Sequence, residues 1–187
     1  MKLYKPKPRN YETNYKNIKP KRGEKNMTEK DMTHAEANGR GWLETIREQV
    51  AALELDWNRL KEMKDTDAED MTDEEKEEFA ELTADAGEFE NYDEARERIE
   101  EGPLSVQVRS AWYSPGAEPE PPDEFEILLS TGGPALRIIG DLNEHGEPTR
   151  ARLEMQDWFT PWVEIILDHN ELDDLLTWSG VFYFGEG

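Results

Sequence analysis

The spacing of apolar residues along this chain changes period once, at Gly102-Pro103, and that change limits the fold more than any other feature of the sequence. Before it, Trp42, Ile46, Val50, Leu53, Trp57 and Leu60 recur at steps of four, four, three, four and three, the stripe of an amphipathic helix. After it, Leu104, Val106 and Val108 begin a period of two that continues to Trp112, among β-branched and aromatic residues. Helices come first and strands second, the order of an α+β domain rather than of alternating βα units.

Local signals place the elements. The stripe predicts a helix over about 35–63. Thr72, with Glu75 three residues on, has the form of a capping box, in which hydroxyl and carboxylate each satisfy a free backbone N–H. A second helix is therefore expected over 73–86, stopped by Gly87, and a third over 92–101, ended by Gly102 and Pro103, with Ala95 and Ile99 inward. Strands are expected at 104–113, 124–130, 135–142 and 149–159, joined by connections short enough for antiparallel neighbours. A closing helix over 167–178 takes Asp168 or Asn170 as its N-cap. The expected architecture is an N-terminal helical arm of two to three helices, then a four-stranded antiparallel sheet with a C-terminal helix. Most aromatic residues follow position 103, so residues 104–187 are expected to form the cohesive core.

Charge divides the same chain differently. There are 44 Asp and Glu against 22 Lys and Arg, a net charge of -22. Residues 1–26 hold nine Lys or Arg against Glu12 and Glu24, a net of +7, whereas residues 27–187 hold 13 against 42, a net of -29. The first segment, with three Pro and no apolar period, reads as a basic flexible tail. Three uses of it stay open: folding back on the acidic body, binding nucleic acid, or extending upstream of a start at Met27. Residues 27–103 read as an acidic helical region and 104–187 as the sheet with its closing helix. A body this acidic repels nucleic acid and anionic membrane and attracts basic proteins or cations.

Absence of Cys removes disulfides, thiolate metal sites and Cys nucleophiles. The N-terminus lacks the apolar run of a signal peptide, and no stretch approaches the roughly 18–20 apolar residues of a membrane span. A cytoplasmic location is expected, in which the Asn26-Met27-Thr28 glycosylation acceptor has no role.

Motifs for chemistry are missing. Asp65, Asp67 and Glu69 have the spacing of a calcium loop, but its sixth and twelfth positions, which need Gly and Glu, hold Asp70 and Lys76. His34, His145 and His169 fall in different elements, and none has a second His at helical metal-pair spacing. His169, beside Asp168 and Glu171, is the best catalytic candidate among them, yet no nucleophile elbow, phosphate-cradling loop or zinc-binding pair accompanies it. Gln156 to Trp162 and Phe182 to Gly185 gather aromatic side chains that suit the sheet core first and a ligand pocket second. A non-enzymatic protein without cofactor or metal is expected.

The remaining feature is the acidic run. Asp65, Asp67, Glu69, Asp70, Asp73, Glu74, Glu75, Glu77, Glu78, Glu81, Asp85, Glu88 and Glu90 face a single base, Lys76, a net of -12 over 65–90. Were it one helix, at about 1.5 Å per residue it would span about 39 Å with a carboxylate every ~3 Å, near the ~3.4 Å per charge of one DNA strand. A partner's phosphate-binding Lys and Arg could meet carboxylates there in place of phosphates.

The block GDLNEHGEPTRARLEMQDWFTPW (140–162), the terminal FYFGEG and the upstream GWLETIREQVAALELDWNRL resemble small acidic proteins of phages and conjugative elements. The resemblance covers most of 35–187 and brings no catalytic residues. It implies a setting in which acidic proteins block host defences, as anti-restriction and anti-CRISPR DNA mimics do. The expected function is inhibition of a host defence protein, a CRISPR effector or restriction nuclease, through its basic nucleic-acid-binding surface, with the 13 acids as the partner-binding residues. The alternative is an adaptor that homodimerises or grips a partner helix through the 42–60 stripe. A small-ligand protein or enzyme built on His169 and the C-terminal aromatics comes third.

Overall fold

A computed structural model describes residues 29–185 except Pro119, Trp158 and Phe159, with side chains from Glu36 onward. The basic segment 1–26 lies outside the described residues. The order is α1 (Glu29–Glu54), α2 (Trp57–Lys64), α3 (Asp73–Ala86), α4 (Tyr92–Glu101), β1 (Ser105–Arg109), β2 (Glu124–Ser130), β3 (Ala135–Leu142), β4 (Pro148–Gln156), β5 (Val163–Glu164) and α5 (His169–Ser179). The fold is α+β, as the change of period requires.

Two differences change the number of elements, while β1 and β4 end earlier than expected, at Arg109 and Gln156. The single helix over 35–63 is broken into α1 and α2, because the Asp56 side chain accepts a hydrogen bond from the Arg59 N–H and caps a new helix. The Trp57 Nε1–H then donates to the Ala52 carbonyl at 2.9 Å, satisfying an acceptor of the last turn of α1. The sheet has five strands rather than four. Its strands run in sequence order, β1-β2-β3-β4-β5, each pair antiparallel. β5 pairs through Glu154↔Glu164 and Met155↔Val163 only, too short a strand to leave an alternating signature.

Alternation sets the core face. Phe125, Ile127 and Leu129 of β2, Leu136 and Ile138 of β3, and Ala151, Leu153 and Met155 of β4 are buried on one side. Leu43, Ile46 and Val50 of α1, Ile99 of α4, Leu175 and Trp178 of α5, and Phe184 join them in one cluster. Residues 104–187 therefore do not pack alone. The face is wider than the 11-residue α5 can cover, and α1 supplies the rest. Gly39 permits this: a Cβ there would collide with the Ile165 side chain. At the β2–β3 turn, Gly132 (φ 100) and Gly133 (φ 87) occupy the left-handed region that side chains disfavour.

The seam between α1 and α5 is polar at its centre and its end. The Trp178 Nε1–H donates to Gln49 Oε1 at 2.7 Å in the interior, and Arg40 meets Glu171 at 2.7 Å farther along. The stripe of the first helix packs within its own chain, with Ile46, Val50 and Leu60 buried and Trp42, Leu53 and Trp57 partly buried. A satellite cluster of Ala52, Phe89 and Ala95, flanked by Leu53 and Trp57, fixes α4 and the α3–α4 connection to the end of α1.

Candidate functional site: an uncompensated acidic face

The acidic helix α3 begins at a complete capping box. The Glu75 N–H donates to Thr72 Oγ1 at 3.2 Å and the Thr72 N–H donates to Glu75 Oε2 at 2.8 Å. It ends at Gly87 (φ 55). Phe79, Leu82 and Ala86 form its inward side, Ala86 being buried. At about 100° per residue, Asp73, Glu74, Glu77, Glu81 and Asp85 share an arc of roughly 120° on the side turned away from them, and all five are exposed. Four of them, Asp73, Glu77, Glu81 and Asp85, stand at i, i+4 steps, one about every 6 Å along the axis.

Glu75, at the first turn of the inward side, and Glu78, between the two sides, are engaged internally. Arg59 of α2 clamps Glu78 bidentately, Nε to Oε1 at 3.0 Å and Nη2 to Oε2 at 2.7 Å, and so ties α2 to α3. Hydrogen bonds from Arg59 and its charge hold the Glu78 carboxyl below the usual glutamate range, and the same contact raises Arg59. Glu75 is lowered by the Thr72 backbone N–H, then by the Thr72 hydroxyl. A carboxyl depressed on folding stabilises fully above its unfolded value, here 4.5, and loses that contribution as pH falls through the lower folded value. Carboxyl-carbon NMR titration should therefore place the Glu75 and Glu78 midpoints below 4.5. In Arg59→Gln, Glu78 should return toward the ordinary value while Glu75 stays low; parallel movement of both would mean that the bridge is not the cause.

The other acids of the run occupy distinct places. Asp65, Asp67, Glu69 and Asp70 are exposed on the loop before α3, anchored by buried Met71. Glu88 lies 3.4 Å from Arg98, and the Glu90 N–H donates to Glu94 at 2.8 Å. The 13 acids are consequently not one 39 Å rod: residues 65–72 and 87–91 flank a 14-residue helix.

Arginine placement decides which acids remain uncompensated. Every arginine from Arg40 onward is in an ion pair, and those on the sheet form a neutral lattice on the face opposite the core. There Arg109 pairs with Glu124 and Arg150 with Asp141, while Arg137 bridges Glu126 and Glu154 with its guanidinium 4.1 Å over the Trp162 ring. Among the described residues, Asp65, Asp67, Glu69, Asp70, Asp73, Glu74, Glu77, Glu81, Asp85 and Glu90 of the 65–90 run have no base within 4.0 Å, and scattered acids elsewhere, such as Glu44, Glu54, Glu97 and Glu101, are likewise unpaired. Sequence counting gave the excess of acid but not which acids are paired, which depends on which arginines the fold brings opposite which carboxylates.

The histidines do not converge. His169 is exposed at the start of α5, its Nε2 3.5 Å from Asp173, whereas His145 lies beside the Phe182 to Gly185 segment in a shallow depression. The side chain of His34, like those of Trp158 and Phe159, lies outside the described residues. Among the described residues no group of three or more His, Asp or Glu side chains is arranged to hold a metal ion, and no helix is long and apolar enough to cross a membrane. No protein-family model, curated protein or solved structure matches this chain.

Proposed function

We propose that this protein is a non-enzymatic inhibitor or blocker that binds the basic, nucleic-acid-binding surface of another protein, with carboxylates of α3 and the preceding loop standing in for phosphates. The observation that supports the reading is a concentration of unpaired charge: the nine acids of the outer arc of α3 and the 65–70 loop are all exposed, and none has a base within 4.0 Å among the described residues. Self-repulsion along that arc costs stability in the free protein. A basic partner surface offsets the cost. In kind, such a partner is a host nuclease or CRISPR effector met by a phage or mobile-element protein.

Of the 13 acids, Glu75 and Glu78 have structural duties, and Glu88 is shared with Arg98. The acids available to a partner are Asp73, Glu74, Glu77, Glu81 and Asp85, with Asp65, Asp67, Glu69 and Asp70 before them and Glu90 after the helix. Both surfaces being highly charged, complex formation should weaken steeply with salt.

Capture from a bacterial lysate on the immobilised full chain tests this. Nucleic-acid-binding proteins should be retained at low salt, lost at high salt and displaced by added duplex DNA. Retention that survives both high salt and DNA competition would rule out phosphate mimicry.

A further inference from the structure

Every antiparallel meander has two edges, and in this one they are treated differently. The β5 edge is two residues long and is followed at once by buried Ile165. The β1 edge is a continuous five-residue strand, paired with β2 from Ser105↔Leu128 to Arg109↔Glu124 with no bulge. It contains no Pro, and its one charge, Arg109, is already paired with Glu124. Edges that stay unpaired are commonly protected by bulges, Pro or inward-pointing charges, and β1 has none of these. Its core-face residues are only partly covered: Leu104 is 58%, Val106 40% and Val108 45% exposed, and Trp112, just beyond the strand, is 101% exposed.

We infer that β1 is the contact strand of a symmetric dimer in which a second copy adds its own β1 antiparallel, joining two five-stranded sheets into one of ten. The strand sequence carries the choice of occupant. In an antiparallel pair, residues directly opposite share a face, so a two-fold axis normal to the sheet must pass through a residue. With the axis at Gln107 all five residues overlap: Val106 meets Val108 of the second copy on the core face, Ser105 meets Arg109 on the open face, and Gln107 meets Gln107. No like charges oppose one another across the ladder. A strongly basic partner of the kind suited to α3 finds no complement here, since the strand is apolar on one face and nearly neutral on the other.

Size fits a weak dimer. Aromatic side chains bury about 150–250 Å² each, so Trp112 and half-exposed Tyr113 with the three aliphatic residues give a total on the order of 1,000 Å² for two copies, the lower limit of a specific interface. Two bodies of net charge -22 repel. Added salt should therefore strengthen this association, the opposite of its effect on binding through α3. The inference goes beyond the acidic face and is tested separately from it.

The full chain should sediment as a monomer–dimer equilibrium in the micromolar range, moving toward dimer as salt rises. Val106→Lys with Val108→Lys should raise the dissociation constant by at least about tenfold. Trp112→Ala, at a side chain that touches nothing in the monomer, should shift it in the same direction without affecting the fold. Because the chain has no Cys, register can be read by oxidation. Gln107→Cys places two thiols opposite each other and should cross-link rapidly, whereas Arg109→Cys places them about 13 Å apart and should not. A wild-type protein that stays monomeric at high salt and high concentration overturns the inference. So do equal cross-linking at the two positions, and a dimer indifferent to both the Lys and the Ala substitutions. Retention of dimerisation after neutralisation of the α3 acids separates this surface from the proposed partner site.

Discussion

Trp178→Ala should remove most of the stability of the protein. The indole is 1% exposed, packs on Phe182 with ring centroids 5.2 Å apart, and is hydrogen-bonded to Gln49 across the α1–α5 seam. Truncating a buried aromatic to Ala costs about 3–5 kcal/mol through lost transfer energy and the cavity left behind. The orphaned Gln49 amide, in a site only 8% exposed, adds about 1–3 kcal/mol. The sum, roughly 4–8 kcal/mol, approaches the about 5–15 kcal/mol that holds a typical domain folded. Urea unfolding should show a large drop in midpoint. Trp178→Phe should fall between, and adding Gln49→Leu to it should recover part of the loss, because removing both polar partners leaves nothing unpaired. A Trp178→Ala protein within about 1 kcal/mol of the parent would show that α1 is not part of the sheet's core.

That seam marks the boundary of what the sequence made legible. Helices α3 and α4 were readable to the residue because their signals are local: Thr72 with Glu75, Gly87, and the Gly102-Pro103 pair. β2 and β3 were readable because burial alternates cleanly along them. The break at Asp56 was hidden by an apolar stripe that runs across it from Leu53 to Trp57 and Leu60, so periodicity gave no sign of a new N-cap. Periodicity also showed that α1 is amphipathic without showing its partner; the Gln49–Trp178 contact joins residues 129 apart. The first strand, with Leu104, Val106 and Val108 in alternation, was expected to reach 113, but the paired strand ends at Arg109. Those three residues lie at an edge that α1 and α5 do not fully cover.

The candidate site was half legible for the same reason. Composition located the acids, and the i, i+4 repeat of Asp73, Glu77, Glu81 and Asp85 already placed four of them on one helix face. What sequence could not assign was which acids the fold uses for itself. Glu78 is matched to Arg59, 19 residues away, and Glu126 and Glu154 are matched to Arg137 through strand register. Sorting acids by partner turns a run of 13 into a smaller set that a second protein can reach.

Glu77→Gln, Glu81→Gln and Asp85→Asn together should weaken binding to the captured partner while making the free protein more stable. On the stability side, the three changes remove the like-charge pairs Asp73–Glu77, Glu77–Glu81 and Glu81–Asp85, each costing the helix about 0.2–0.5 kcal/mol. They also take a negative charge from the last turn, where the helix dipole disfavours it. A gain of about 1 kcal/mol is expected. Asp73 and Glu74 are held back from this set because they sit in the first turn, where the dipole favours a carboxylate, and Glu78 because it bridges to Arg59. On the binding side, each lost carboxylate forfeits about 0.2–1 kcal/mol of attraction to a basic surface, so three together should cost roughly 3- to 150-fold in affinity at low salt. The salt dependence should flatten in step, since fewer ion pairs are left to screen. Adding Asp73→Asn and Glu74→Gln should lower affinity again with no further gain in stability. Opposite movement of affinity and stability is the signature of a charged face kept for a partner; a solvated face would gain stability and leave binding unchanged. Unchanged affinity and salt slope in the triple variant, with the fold intact by circular dichroism, would exclude α3 as the contact helix.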